Sequence, residues 1–148
     1  MKISTKGRYG LRSMVDIAVS SLGDYIPLKL IAERQNISEN YLEQVFSILR
    51  KADLVKSIRG SQGGYTLSRE ASRITVGEVL RALEGELTIT GDDTDNALND
   101  NTLEKCINLT VWQNVNQSIN AVVDSITLEQ LVEDYKKLSK NYLYDYTI

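Results

Sequence analysis

Histidine is absent from this chain, and cysteine, proline, tryptophan and phenylalanine each occur only once. Without histidine, the sequence lacks the commonest general base and metal ligand of enzymes. The lone cysteine, Cys106, cannot form a disulfide framework within the chain. We also find no combination of nucleophile, base and orienting residue, and no phosphate-binding glycine loop before a helix. The composition therefore argues against an enzyme.

Long apolar segments are missing as well. No run of about 18 apolar residues occurs, and the N-terminus lacks the apolar core of a signal peptide. We therefore expect a cytoplasmic protein that has no contact with a membrane. The 148 residues, of which 42% are hydrophobic, suffice for one compact domain with an extension.

A glycine-rich turn lies between two short apolar stretches, in the segment SIRGSQGGY from Ser57 to Tyr65. Alternating positions on each side predict a half-buried β-hairpin; they are Leu54, Lys56 and Ile58 before the turn, and Tyr65 and Leu67 after it. The predicted tip consists of Arg59, Gly60, Ser61 and Gln62. It is narrow and positively charged, which suits the minor groove of DNA. Because most such segments are ordinary turns, this interpretation depends on the neighbouring elements.

Two short helices are predicted upstream of the hairpin. The first spans residues 27–35, with Pro27 in its first turn, and a break follows at Asn36 and Ile37. Ser38 is a good N-cap for the second helix, whose apolar residues recur with helical spacing through Ala52. Helix, break, helix and hairpin in this order predict a winged helix-turn-helix, in which the second helix enters the major groove of DNA.

The start of the second helix is rich in polar side chains that can read DNA. Glutamine pairs with adenine, glutamate accepts from the cytosine amino group, and hydroxyls reach bases or phosphates. The candidate readers are Ser38, Asn40, Tyr41, Glu43 and Gln44. A solvated helix face is the plain alternative for any single helix, so the assignment depends on the whole motif.

Positive charge is concentrated in the first half of the chain, although the net charge is −3. Residues 1–82 hold 13 Lys and Arg against 8 Asp and Glu, a balance of +5, and the remainder holds 4 against 12, a balance of −8. The basic half contains the predicted DNA reader. Its candidate phosphate or groove contacts are Lys2, Lys6, Arg8, Arg12, Arg50, Lys51, Lys56 and Arg59.

Further helices complete the predicted plan. A helix over residues 5–21 is expected to pack behind the reader, and Thr75 with Glu78 forms a capping box for a helix that stops at Gly85. Thr127 with Gln130 caps a last helix through about Ser139. We divide the chain into a DNA-binding domain at 1–85, an acidic flexible loop at 86–102, and a dimerisation segment with the C-terminal helix at 103–148.

A long helix is predicted from about Leu103. Its apolar residues follow intervals of 3 and 4, the seam of a coiled-coil pair; they are Trp112, Val115, Ile119, Val122 and Ile126. The alternative is a helix whose apolar residues pack on the core of the same chain. Because the seam is long for so small a domain, we expect a homodimer.

Several stretches resemble one family of bacterial winged-helix regulators, which includes the iron-sulfur cluster regulator and the cysteine-metabolism repressor. They are MKISTKGRYGLRSM, ISENYLEQVFSILRKADLVKSIRGSQGGYTL and ITVGEVLRALEG, and the match resumes at KCINLTVW and SITLEQLV. The resemblance implies a mainly α fold with a small β-hairpin wing, crossed long helices in a homodimer, and a pseudo-palindromic DNA operator. By position, it assigns Ser38, Tyr41, Glu43 and Gln44 to the major groove and Arg59 to the minor groove.

The cluster-binding members of this family carry three cysteines before the long helix, often with a nearby histidine, and hold a [2Fe-2S] cluster. Here Cys106 matches the last of these cysteines, and Leu109 stands where the histidine would be. The preceding loop offers carboxylates and amides but no thiol: Asp92, Asp93, Asp95, Asn96, Asn99, Asp100 and Asn101. Because clusters are usually held by thiolates, this is poor provision.

Three interpretations of Cys106 stay open. It is a redox-reactive thiol near a helix start, one ligand of an atypical cluster, or a small apolar residue without a functional role.

Together, these observations predict a sequence-specific transcriptional regulator, acting as a repressor, of iron-sulfur, cysteine or redox metabolism. The alternative is a winged-helix module that binds a metabolic enzyme through its acidic half. A salt titration separates the two, because binding driven by phosphate contacts weakens steeply as salt rises.

Overall fold

The computed structural model describes residues 1–90 and 101–147. Three helices begin the chain: α1 (Thr5–Ser20), α2 (Leu28–Gln35) and α3 (Glu39–Lys51). The break between α2 and α3 is a tight turn, because Asn36 adopts the left-handed conformation with φ of 55°. The backbone N–H of Ile37 then donates to the carbonyl of Ala32 at 2.9 Å. Asparagine tolerates this conformation better than most residues, and the turn closes α2 in the manner of a Schellman motif.

The predicted hairpin is present as β1 (Val55–Ile58) and β2 (Gly64–Leu67), which pair antiparallel with Val55 opposite Leu67 and Ile58 opposite Gly64. The predicted phase of its first strand is wrong. Val55 is buried, whereas Lys56 and Ile58 are exposed. The prediction counted Leu54 as the first inward residue of the strand. Leu54 is buried just before β1, where its N–H donates to the carbonyl of Leu49 and closes α3.

Gly64 is required at the start of β2. Its φ is +156°, and a Cβ there would lie 2.2 Å from the carbonyl oxygen of Ile26. The approach is so close because Ile26 and Tyr65 exchange two backbone hydrogen bonds of 2.8 Å. This bridge ties the base of the hairpin to the segment before α2.

Helix α4 (Val76–Glu84) follows the hairpin after a short 3₁₀ turn at Ala71–Arg73. Half of the predicted capping box is present: the Thr75 hydroxyl accepts from the Glu78 N–H at 3.1 Å, whereas the Glu78 carboxylate pairs with Arg69. Helix α4 lies against α1 because Gly10 has no side chain: a Cβ at that position would lie 2.2 Å from Cδ1 of Leu83.

The long helix is interrupted. It consists of α5 (Thr102–Ile107), a π turn (Asn108–Trp112) and α6 (Gln113–Ser125), and it is followed by α7 (Leu128–Thr147). The sequence pattern did not predict the π turn, and it ended the last helix near Ser139. Helix α7 continues to Thr147 because neither glycine nor proline occurs after Leu128 to stop it.

The chain returns to the first domain between α6 and α7. The Val76 N–H donates to the Ile126 carbonyl at 2.8 Å, and the Leu128 N–H donates to the Ile74 carbonyl at 2.9 Å. Leu128 is fully buried in the main core, together with Phe46 and Met14. The start of α7 thus shares its core with the winged helix-turn-helix, although the sequence assigned it to a separate segment.

A second, smaller apolar cluster lies between α4 and α6. Its buried members are Val76, Leu80 and Leu87, and half-buried residues of α6 and its C-terminal end pack against them, namely Ile119, Val123 and Ile126. Among the described residues, no helix has the length and apolar character needed to cross a membrane.

Candidate nucleic-acid interface

The exposed side of α3 carries three polar side chains in one stripe. Asn40, Glu43 and Gln44 are exposed at the spacing of one helical turn. The opposite side is anchored in the core by four fully or almost fully buried residues: Leu42, Val45, Phe46 and Leu49. This anchoring holds the three polar side chains on a rigid element, as base reading requires.

Ser38 and Tyr41 also have structural roles at the start of α3. The Ser38 hydroxyl accepts from the Tyr41 N–H at 3.4 Å and so caps the helix. The Tyr41 ring is half-buried and meets the Tyr9 ring edge to face, with centroids 6.2 Å apart. Ser38 and Tyr41, which the sequence predicts as DNA readers, therefore also stabilise the start of α3.

Tyr9 is a residue of this region that the sequence pattern missed. The guanidinium of Arg12 lies 4.8 Å from the centroid of its ring, and that of Arg8 lies 6.0 Å away. Arg12 also donates to the Gln35 carbonyl at 2.8 Å, at the C-terminal end of α2. The tyrosine thus places two arginines of α1 beside the start of α3.

A buried carboxylate fixes α2 against α1. Asp16, whose side chain is 5% exposed, forms an ion pair with Arg34 at 2.5 Å and accepts from the Gln35 amide at 2.6 Å. The sequence pattern does not reveal this pair, because its partners are 18 residues apart. The available signal was an aspartate on the apolar side of a helix, which requires a buried partner.

The wing presents the predicted tip to solvent. Lys56, Arg59 and the segment 60–62 are exposed, and Gly60 adopts a φ of +114°. The Gly63 N–H donates to the Gly60 carbonyl at 3.0 Å and closes the tip. Arg50, at the end of α3, donates to the Ser57 hydroxyl at 3.5 Å and links the reader helix to the wing.

The predicted phosphate contacts differ from three other arginines of the first half. Arg34, Arg69 and Arg81 are held in ion pairs with Asp16, Glu78 and Asp124. Within residues 1–90 and 101–147, none of the candidate phosphate contacts forms an ion pair; these are Lys2, Lys6, Arg8, Arg12, Arg50, Lys51, Lys56 and Arg59. Their positive charges are therefore available to contact the phosphates of DNA.

The predicted seam of the long helix divides into two sets. Ile119 and Ile126 pack on the small cluster of the same chain. Val115 and Val122 are 37% and 58% exposed, and Trp112 is half-buried. The 3–4 periodicity could not reveal this division, because it does not say which chain fills each position. The homodimer itself stays a prediction.

Arg81 connects α4 to α6 through a polar network. Its guanidinium donates to both carboxylate oxygens of Asp124, at 2.7 and 2.8 Å, and to Oδ1 of Asn120. These hydrogen bonds and the adjacent positive charge hold the pKa of Asp124 below its usual value. Asn120 in turn donates to the carbonyl of Leu87, which fixes the segment after α4.

Cys106 is exposed on α5, close to Leu109, which is 61% exposed. In the described part of the chain, no three Cys, Asp or Glu residues lie close enough together to hold a metal ion. The predicted ligand candidates Asp92, Asp93, Asp95, Asn96, Asn99 and Asp100 lie outside the described residues. Since the whole sequence contains one thiol and no histidine, the residues present do not fit a [2Fe-2S] cluster held by three cysteines and a histidine of one chain.

Comparison with known proteins agrees with this geometry. Residues 3–134 match the model of the Rrf2 family, described as an iron-dependent transcriptional regulator. A transcriptional regulator from Vibrio atlanticus, IscR, is 41% identical over 138 residues, which span 93% of this chain and 79% of that protein.

Two solved structures are also similar. CymR, the global cysteine regulator of B. subtilis, superposes with a TM-score of 0.76 at 43% identity, covering 90% of this chain and 97% of CymR. IscR of T. potens gives a TM-score of 0.72 at 44% identity, covering 93% and 90% of the two chains. The winged-helix fold and the family resemblance are thereby confirmed.

Proposed function

Because this chain belongs to the Rrf2 family of DNA-binding transcriptional regulators, which are not enzymes, we propose that it represses transcription as a homodimer on a pseudo-palindromic operator. Its regulated genes belong to iron-sulfur, cysteine or redox metabolism. As a regulator of a bacterial chromosome, it acts in the cytoplasm.

One observation carries the proposal: an anchored helix and a glycine-tipped hairpin both present polar or cationic side chains that no described acidic residue neutralises. Asn40, Glu43 and Gln44 of α3 are exposed and read base edges in the major groove. Arg59 at the wing tip enters the adjacent minor groove. Ser38 and Tyr41 position the start of α3 and offer their hydroxyls to the same DNA.

Phosphate contacts surround these readers. Arg8 and Arg12 of α1 lie near the ring of Tyr9, beside α3, and Lys6 is exposed one turn earlier. Arg50 and Lys56 lie at the junction of α3 and the wing. Such contacts fix the register of a protein on the duplex and supply most of the affinity.

The homodimer joins through the open side of the long helix. Val111, Val115 and Val122 are each more than a third exposed and follow the spacing of a coiled-coil seam. Ile119 and Ile126 pack on the small cluster of their own chain, and Trp112 is half-buried. Two-fold pairing would place two reader helices on two half-sites of a palindromic operator.

The test begins with selection of duplexes from a random-sequence pool by the wild-type protein. We expect an operator with two-fold symmetry, whose affinity falls steeply with rising salt. Gln44→Ala and Arg59→Ala are each expected to lose about 1–3 kcal/mol of operator binding. Equal binding by both variants would refute the assigned readers.

A second arm distinguishes the two grooves. An inosine·cytosine pair presents the minor-groove surface of A·T but the major-groove surface of G·C. Replacing A·T pairs beneath the wing with inosine·cytosine should preserve the affinity, whereas replacement with G·C should reduce it. The alternative, a module that binds a metabolic enzyme, requires instead that no duplex be enriched and that binding to the enzyme be insensitive to salt.

The effector is tested separately from the DNA. Protein purified without oxygen should be examined by visible absorption and by iron and sulfide assay. Visible bands with stoichiometric iron would support an atypical cluster with Cys106 as a ligand. A colourless, iron-free protein that binds the operator would favour a thiol or another signal, and Cys106→Ala should then abolish any redox response without changing the operator affinity.

A further inference from the structure

The outer side of the wing carries one large apolar side chain. Ile58 is 49% exposed at the end of β1. Its partner across the hairpin is Gly64, which has no side chain to cover it. The next outward position along the strand is Lys56, which is also exposed.

The core does not account for Ile58. Val55, at the opposite end of the same strand, is 1% exposed and supplies the contact of β1 with the main core. Tyr65 supplies the contact of β2, with its ring 4.8 Å from that of Phe46. Single exposed apolar residues are common on protein surfaces, so the informative point is the location of Ile58 between Lys56 and Arg59.

We infer that Ile58 packs against the deoxyribose wall of the DNA minor groove while Arg59 enters the groove and Lys56 contacts a phosphate. This inference rests on the proposed function. Minor-groove proteins combine cations with apolar side chains such as isoleucine, because the sugars that line the groove are themselves largely apolar.

The experiment uses the duplex that the wild-type protein selects, with three variants at one position. Ile58→Val is expected to weaken binding about 2- to 4-fold, because it removes one buried methylene. Ile58→Thr has the shape of the valine variant but retains a hydrated hydroxyl, and it should weaken binding about 10-fold in total. Ile58→Ala should bind the duplex with an affinity equal to or lower than that of Ile58→Thr. All three should keep the wild-type salt dependence, whereas Lys56→Gln should reduce the slope by about one.

The controls address the fold and the surface. Valine and threonine are good strand residues, so the unfolding temperature should match the wild type. Leu22→Ala changes a leucine that is 95% exposed on the turn between α1 and α2, and it should bind as the wild type does.

Three outcomes overturn the inference. If all three Ile58 variants bind the duplex with wild-type affinity while Arg59→Ala binds more weakly, Ile58 is not part of the interface. The proposed function would be unaffected by that result. A loss of affinity that is equal in the valine and threonine variants and accompanied by a lower unfolding temperature would reassign the effect to the hairpin itself. If the wild-type protein selects no duplex, the proposed function and the inference both fail.

Discussion

The winged helix-turn-helix and the long helix bury their apolar residues to very different degrees. In the first, α1, α3 and α4 each contain at least four buried residues. In the second, no residue of α5, the π turn or α6 is buried within the described chain. The first region is stabilised by its own contacts and by Leu128 of α7, whereas the second leaves apolar side chains exposed.

The largest expected effect is on the winged helix-turn-helix. Phe46 is fully buried and meets Tyr65, so Phe46→Ala should lower the free energy of unfolding by about 3–5 kcal/mol. Chemical denaturation at several protein concentrations measures this, because a dimer becomes more stable as concentration rises. A loss below 1 kcal/mol would contradict the idea that the wing and α3 share one core.

The next effect concerns the open side of the long helix. Val122→Glu places a charge where we propose a partner chain, and it should weaken dimerisation about 100-fold, because an unpaired charge is costly to bury. Gln117→Glu, on an exposed position of the same helix, is the matched control and should leave the dimer intact. Sedimentation equilibrium measures both. A Val122→Glu protein that dimerises like the control would exclude this side of α6.

A smaller effect separates stability from DNA reading at Ser38. Ser38→Ala removes the helix cap and should cost about 1 kcal/mol of stability, whereas Ser38→Gly should cost only a few tenths. If the hydroxyl also reads DNA, both variants should lose operator affinity to the same extent. Affinity that follows stability, with glycine close to the wild type, would restrict Ser38 to capping.

The smallest effect links the two regions through pH. Because Arg81 lowers the pKa of Asp124 in the folded state, the ionised carboxylate favours folding. This contribution is present above the pKa of the unfolded chain, about 4, and is lost as pH falls through the lower pKa of the folded state. The difference in unfolding temperature between wild type and Asp124→Asn should therefore shrink from pH 7 to pH 3. Glu129→Gln, an exposed change on α7, controls for the altered charge.

Local signals predicted the helices well. Ser38 and Thr75 marked helix starts because their hydroxyls cap the adjacent N–H groups, as the structure shows. The hairpin was predicted from its glycines, but the phase of β1 was wrong because Leu54 is buried by α3 rather than by the sheet. Buried residues adjacent to a strand mimic its alternation.

Contacts distant in sequence could not be predicted. The Asp16–Arg34 pair, the stack of Arg12 on Tyr9, and the return of Leu128 to the core depend on how helices meet in space. The candidate readers could be identified because their exposure follows from the helical period of α3. The assignment of Ile119 to its own chain could not, since an apolar stripe does not identify its partner.

The π turn at Asn108–Trp112 sets the angular relation between the two ends of the long helix. Such a turn contains one residue more than an α-helical turn, and each residue advances a helix by about 100°. Cys106 consequently projects about a quarter of a revolution away from where an uninterrupted helix would direct it. Deleting one residue of the turn would restore the ordinary winding and leave the direction of the thiol relative to the valines of α6 unchanged, because the π turn already fits its extra residue into one turn.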